Sequence, residues 1–564
     1  MDKILYILLV VGIIGFFIYQ VITNEKRRRA KVLRKIRQAW GMIPDREYEY
    51  DEFKSISRYY EKKKRQGEFF IDDITWNDLD MDSVFMAINN TQSSTGEEYL
   101  YKLLRTPVFE KETLEEREKV IQYFSNHEKE RLEYQLDLSK VGRTNTRQNK
   151  ISLVDYIYNF AELEKESNFG HYLQIALVFM SLILLLMNPA IGILAFIATL
   201  FYNVITYYRD KAKVEPYFVC IGAVVRLVKC SAMLGTHKEP ELKEYTERLK
   251  KASLSLSSVI KDARYIGSTD KVSGDLTEVI MDYIRMIFHV DLIKFNSMLG
   301  KVQGHLDEIE VMMESIGFIE SMIAIASYRL TLPFYCQPQL REGKSLILDA
   351  TDLYHPMIKE PVANSISETR PVLLTGSNAS GKSTFLKTVA INAVLSQTIH
   401  TALAHSYEGN FYRVYSSMAL RDNLQGNESY YIVEIKSLKR ILDAADGQHP
   451  VLCFVDEVLR GTNTVERIAA SSRILQTLAQ KGAMSFAATH DIELTSMLTD
   501  YYSNYHFEEE ISDNDVKFNY MLFKGKAKTR NAIKLLSIMG YEKSVIHEAE
   551  ETARRFLDEG IWSL

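Results

Sequence analysis

Pro371-Val372-Leu373-Leu374-Thr375-Gly376-Ser377-Asn378-Ala379-Ser380-Gly381-Lys382-Ser383-Thr384-Phe385 decides the fold class. An apolar run reads as a buried strand, a glycine- and hydroxyl-rich stretch as a loop, and a helix opens at Phe385. Within it, Gly376 to Ser383 follow the spacing G-x-x-x-x-G-K-[ST] in the strand-loop-helix context that the pattern needs. Glycines allow backbone N–H groups to turn inward around phosphate oxygens, and the following helix offers its positive end. Lys382 is expected to reach the β- and γ-phosphates of a nucleotide, and the Ser383 hydroxyl to ligate Mg²⁺.

Two further strand ends supply the partner chemistry. Pro450-Val451-Leu452-Cys453-Phe454-Val455 is apolar and ends in Asp456-Glu457. Asp456 is placed to hold the Mg²⁺ shell, and Glu457 to orient or deprotonate an attacking water. Ser485 to Thr489 ends in His490-Asp491. A histidine at the C-terminal end of such a strand can sense the γ-phosphate. Singly, such residues are usually solvated or structural; three in order, each after an apolar run, point to an NTPase of the α/β P-loop class.

Upstream the texture differs. From Thr95 to Leu332 glycine and proline are sparse and apolar residues recur at helical spacing, so a mostly α-helical region precedes the α/β domain. The 564 residues carry 69 Lys+Arg against 74 Asp+Glu, a net charge of -5, which argues against a uniformly basic nucleic-acid binder. Four cysteines form no C-x-x-C pair, so no structural zinc is expected.

A mean hydropathy of -0.15 conceals apolar segments. Ile4 to Ile22 is an uncharged run long enough to cross a bilayer, and Lys26 to Lys31 follow it with five basic residues. Charge after the apolar run is the order of an uncleaved anchor rather than a signal peptide. It puts everything after Thr23 in the cytoplasm. Tyr172 to Tyr208 is a second apolar block, broken at Asn188-Pro189 and read as a transmembrane hairpin, with Arg209, Lys211 and Lys213 beyond it. Three spans are therefore expected, in a multi-pass protein of the cell membrane whose ATPase domain faces the cytoplasm. The basic stretch from Asn24 to Gln66, 15 Lys/Arg against 7 Asp/Glu, suits anionic headgroups. The expected domains are an anchor (1–23), a basic linker (24–90), a helical core or lever (91–340) containing the hairpin 172–208, an ATPase domain (341–525) and a C-terminal segment (526–564).

The motifs resemble the MutS family of DNA mismatch-repair ATPases. The loop at 375–384 is similar to T-G-P-N-x-x-G-K-S-T with Ser377 in place of proline, and Asp456-Glu457-Val458-Leu459-Arg460-Gly461-Thr462-Asn463-Thr464 is similar to D-E-x-x-R-G-T-x-T. Ala488-Thr489-His490 resembles the family's A-T-H switch, while Tyr354-His355-Pro356 and Val362-Ala363-Asn364 resemble the segment that frames the nucleotide. Thr95-Gly96-Glu97-Glu98-Tyr99-Leu100 looks like the opening of the core domain, and Ala532 to Ala549 like a dimerising helix-turn-helix.

The resemblance implies ATP and Mg²⁺ as ligands, held by Gly376, Ser377, Asn378, Ala379, Ser380, Gly381, Lys382, Ser383 and Thr384, with Asn364 beside them. It implies a homodimer with composite sites, in which Ser429 of one chain reaches the partner's γ-phosphate and hydrolysis to ADP and phosphate moves the lever. No Phe-x-Glu mismatch wedge precedes the core, so mismatch recognition is not expected, and DNA as a partner stays open. The alternatives are an ATP-switched clamp that tethers DNA to the membrane, and an ABC-type transporter ATPase. The second is disfavoured because Gly426-Asn427-Glu428-Ser429 replaces L-S-G-G-Q.

Overall fold

The computed structural model describes the chain except residues 1, 66, 144–151, 165–166, 264–275, 378–379, 419–429, 460–461, 512–515, 528–532, 534–535, 537–539 and 560–564; some further side chains, mostly within 2–22 and 276–281, are also outside it. Two compact units result. One comprises residues 1–64, 88–102 and 119–328; the other comprises 65–87, 103–118 and 329–564. The second unit thus recruits two short segments from the stretches read in sequence as linker and lever.

Among the described residues, that second unit holds ten strands: β1 Gln339–Arg341, β2 Leu348–Leu353, β3 Asn364–Glu368, β4 Val372–Thr375, β5 Ser406–Asn410, β6 Arg413–Ser417, β7 Val451–Asp456, β8 Met484–Ala488, β9 Ser503–Ile511 and β10 Val516–Lys524. A small sheet runs β1-β5-β2-β3, and a larger one β10-β9-β4-β8-β7-β6. In the larger sheet every neighbouring pair is parallel except the edge pair β10–β9. Parallel strands are covered on both faces, which is why β4, β8 and most of β7 are apolar runs buried at successive positions. Leu438, Ile441, Leu475, Leu478 and Leu494 from three flanking helices pack with Leu373, Cys453, Val455 and Ala487 into one core. The helix Lys382–Thr398, buried along most of its length, lies against β7 and β8.

Register then sets the site. Leu374 pairs with Ala488, and Ala488 with Asp456, so three strands end in one row and their loops emerge together. At the far edge, the recruited segment covers β6. Ser416 donates its N–H to Thr75 Oγ1 (3.1 Å) and its hydroxyl to Asp78 Oδ2 (2.6 Å), and Arg440 Nη1 donates to Asp72 Oδ2 at 2.6 Å. An edge strand closed in this way offers no ladder to another chain.

The first unit is helical. Residues 4–22 lie on the helix Asp2–Ala39, where most of their side chains fall outside the described residues. The apolar hairpin is formed by Phe169–Met187 and a 46-residue helix, Pro189–Leu234, which continues well past the basic cluster that seemed to end it. Among the described residues, two helical stretches are long and apolar enough to cross a membrane, Phe169–Met187 and Pro189–Glu215, against the three expected. Gly96 and Gly317 allow close packing: a Cβ on Gly96 would fall 2.0 Å from Glu320 Oε2, and one on Gly317 2.4 Å from Tyr99 Cβ.

Candidate functional site

The loop after β4 turns on two glycines. Gly376 has φ +145°, and a Cβ there would lie 2.9 Å from the Phe507 carbonyl oxygen. Gly381, at φ +104°, caps the helix Lys382–Thr398, and a Cβ would sit 3.2 Å from the Tyr520 ring. Side chains are excluded at both points, so the loop stays open toward the cavity. Lys382 Nζ donates to the carbonyls of Gly376 (2.9 Å) and Ser377 (2.7 Å), which folds the loop over its own lysine. Burial lowers the pKa of Lys382, while Asp456, Glu457 and Glu509 oppose the shift.

At the end of β7, Asp456 Oδ2 accepts from the Ser383 hydroxyl at 2.5 Å. Burial raises the Asp456 pKa; the Ser383 bond pulls the other way and the Glu457 charge adds to the rise. Glu457 follows in the left-handed region at φ +58°, with its N–H on the Ala488 carbonyl at 3.0 Å. Strain of this kind in a non-glycine residue persists only where the surroundings hold it. Its Oε1 lies 2.8 Å from His490 Nε2. Burial and the Lys382 charge lower the His490 pKa, which favours the neutral ring. Behind it, Arg467 grips Asp491 through two bonds of 2.9 and 2.6 Å and fixes the end of β8.

Lys382, Ser383, Asp456, Glu457 and His490 line a cavity of about 500 Å³. Leu353, Ile358, Pro361, Val362 and Tyr520 line it too, so charged and apolar side chains share its wall. His355 also lines it, its pKa pushed down to about 4 by burial and by Lys387.

Most expected site residues gather here: Ser380, Gly381, Lys382, Ser383, Thr384, Asp456, Glu457, His490 and Asn364 all line the cavity. Asn364 has a second occupation. It accepts from Leu522 N–H (2.7 Å) and donates to the Tyr520 carbonyl (2.9 Å), joining β3 to β10. Ser377 stands in the loop but turns its hydroxyl to Glu509 Oε2 at 2.9 Å. Asn378, Ala379 and Ser429 lie outside the described residues.

Sequence reading missed Tyr520 and Phe507. Tyr520 sits at φ +55° where the β10–β9 register shifts, and nothing in its neighbourhood of sequence marks it. Glu434 Oε1 takes the Leu459 N–H at 2.5 Å and so supports the turn after Glu457.

Residues 372–557 match the family model of MutS domain V. The DNA mismatch repair protein MutS of Natronomonas pharaonis is 28% identical over 274 residues, covering 46% of this chain and 31% of that protein. MutS protein homolog 4 of Homo sapiens is 25% identical over 316 residues (52% and 33%), and MutS of Aquifex pyrophilus 27% over 291 (49% and 33%). The chain thus spans about a third of the length of these curated relatives. Over residues 372–557 the chain is thus similar to domain V of the MutS family.

Proposed function

We propose that the protein is a Mg²⁺-dependent P-loop ATPase that hydrolyses ATP to ADP and phosphate at the cavity between β4, β7 and β8. The observation that carries this is the alignment of Lys382, the Ser383–Asp456 pair and the Glu457–His490 pair at one row of strand ends. A hydroxyl and a carboxylate 2.5 Å apart, without sulfur or imidazole, form a donor set suited to a hard divalent cation. The cradle emptied of side chains at Gly376 and Gly381 suits phosphates. When bound, Mg²⁺ neutralises charge on the phosphate oxygens.

The chain's own groups take the other roles. Lys382 holds the terminal phosphates, and the loop's backbone orients them. Glu457 accepts the proton of the attacking water, and the neutral His490 ring, donating through Nε2, aims that carboxylate. The apolar side chains of the lining take the base.

We further propose that two copies form composite sites through the segment containing Ser429, that hydrolysis moves the helical lever, and that the hairpin attaches the protein to a membrane. Two of the three relatives are named for DNA mismatch repair; nucleic acid comes to this chain by that analogy alone. Duplex or branched DNA would then stimulate the ATPase and bind with steep salt dependence.

Changing Glu457 to Gln removes the base and keeps the cavity. ATP binding is expected to persist while steady-state phosphate release falls by about 10²-fold or more. Undiminished turnover by the variant would refute the assignment.

A further inference from the structure

Residues 169–208 contain no Asp, Glu, Lys or Arg. The two ends of this hairpin are unlike. At the turn the exposed side chains are apolar, with Leu186, Met187 and Leu194 among the most exposed large apolar side chains of the described residues and Ile191 beside them, and Asn188 is the polar residue among them. Part of the turn's backbone is satisfied within it. Asn188 N–H donates to the Leu184 carbonyl (2.8 Å), Gly192 N–H to the Asn188 carbonyl (2.8 Å), and Ile191 N–H to Asn188 Oδ1 (3.4 Å). Pro189 has no N–H to satisfy. Gly192 brings the arms together, since a Cβ there would fall 2.2 Å from Leu185 Cα. Backbone in hydrocarbon must satisfy itself, whereas a turn in the headgroup layer has water and has no need to.

The opposite end carries the marks of an interface. Tyr172, Tyr202 and Tyr208 are 56%, 52% and 59% exposed, the amphipathic rings that settle at headgroup depth. At that height a polar layer joins both arms to residues 289 and 291, which lie outside the hairpin. His171 Nδ1 meets His289 Nδ1 at 3.0 Å, His289 Nε2 meets the Asn203 carbonyl at 3.1 Å, and the Tyr207 hydroxyl donates to Asp291 Oδ2 at 2.8 Å. Arg209, Lys211 and Lys213 follow. A hairpin that crosses a bilayer has a belt at each face; this one has a belt at its base only.

Counted from Asn168 and Arg209 the arms rise about 30 Å at 1.5 Å per residue, enough to bring the turn to the far edge of a hydrocarbon core of about 30 Å and no further.

We infer that the hairpin is a re-entrant wedge: it enters a lipid bilayer from the side of Arg209 and buries its Asn188-Pro189 tip in the hydrocarbon without crossing. The inference rests on the proposed membrane attachment and deepens it. The loss of two crossings also leaves the chain on one side of the bilayer from residue 24 onward.

The test uses the full-length chain in vesicles, in a Cys336→Ser background, with Asn188→Cys at the tip and Arg209→Cys at the base. Both are probed with a membrane-impermeant maleimide supplied to either side, and Asn188→Cys is spin-labelled for accessibility to oxygen and to a water-soluble nickel complex. The expected result is that position 209 labels from the ATPase side. Position 188 then labels from neither side until detergent is added, and its spin label relaxes with oxygen more than with nickel. Labelling of position 188 from the side opposite the ATPase domain overturns the inference while membrane attachment stands. A chain that fails to float with vesicles, or a tip labelled from the ATPase side, removes the attachment itself.

Discussion

Gly376 shows how much one backbone angle decides. Its φ of +145° is open to glycine and strained for any L side chain, and the nearest obstacle to a Cβ is backbone, the Phe507 carbonyl. Gly376→Ala is therefore expected to weaken nucleotide binding by about tenfold or more, the equivalent of 1–3 kcal/mol of strain, while the fold persists. Titration with a fluorescent ATP analogue, alongside a thermal melt, reads both. Glu320 is a second single-residue case. Burial drives its pKa up to about 8 against the bonds it accepts from Ser93 and Gln92. A carboxyl held above its unfolded value binds more protons in the native state, so the stability it contributes is present below about pH 4.5 and drains away as pH rises toward 8. Glu320→Gln is expected to flatten that slope and to raise the midpoint of denaturation at pH 8, and an unchanged pH profile would count against the buried acid. Lys382, Ser383 and Asp456 were legible because their spacing is the chemistry. The Ser377–Glu509 bond and Tyr520 were not, since each depends on a strand more than 120 residues away in sequence.

Among the elements, the same division holds. β4, β7 and β8 could be read because parallel strands buried on both faces are unbroken apolar runs. The small sheet could not: β3, Asn364–Glu368, alternates buried and exposed residues over only five positions and carries little apolar signal. β9 carries Glu508, Glu509 and Glu510 and β10 Lys517, and their register shifts between Phe518 and Leu522. The segments 65–87 and 103–118 join the strand-bearing unit through contacts made far along the chain, which no local pattern announces. Glu118 is the plainest of these. Both its oxygens accept from Arg329 (2.8 and 2.7 Å), and His400 Nδ1 lies 3.0 Å away. Burial alone would raise its pKa, but the bonds from Arg329 and His400 prevail and bring it down to about 2. The stability it supplies is thus complete above about pH 4.5 and lost as pH falls toward 2. Glu118→Ala strands a buried guanidinium, an effect on the order of 3–5 kcal/mol. Chemical denaturation at pH 7 should show that loss, and the deficit should shrink in acid, where the parent also loses the charge.

For the whole molecule, the question is whether one chain completes its own site. Each site as proposed draws Lys382, Asp456 and Glu457 from one chain and Ser429 from the other, and in a two-fold dimer each chain gives what it receives. This makes a prediction that single variants cannot. Lys382→Ala removes the phosphate grip from a chain's own site, and Ser429→Ala spoils only its partner's. Each homodimer is then expected to be inactive. Mixed in equal amounts and allowed to exchange, half the dimers carry both kinds of chain. In each of those, the chain that keeps Lys382 receives an intact Ser429, so one of two sites is whole, and about a quarter of the parent ATPase rate should return if the sites act independently. A return well below that, with exchange verified by differently tagged chains, means that a whole site turns over more slowly beside a dead one. No return at all means that Ser429 serves its own chain, and the composite arrangement falls. The assay also bears on the membrane end, because re-entrant wedges on two partnered chains must enter the same leaflet. Mixed dimers should then form only between chains inserted in the same orientation, and recovery in vesicles should vanish when the two variants are reconstituted into separate populations.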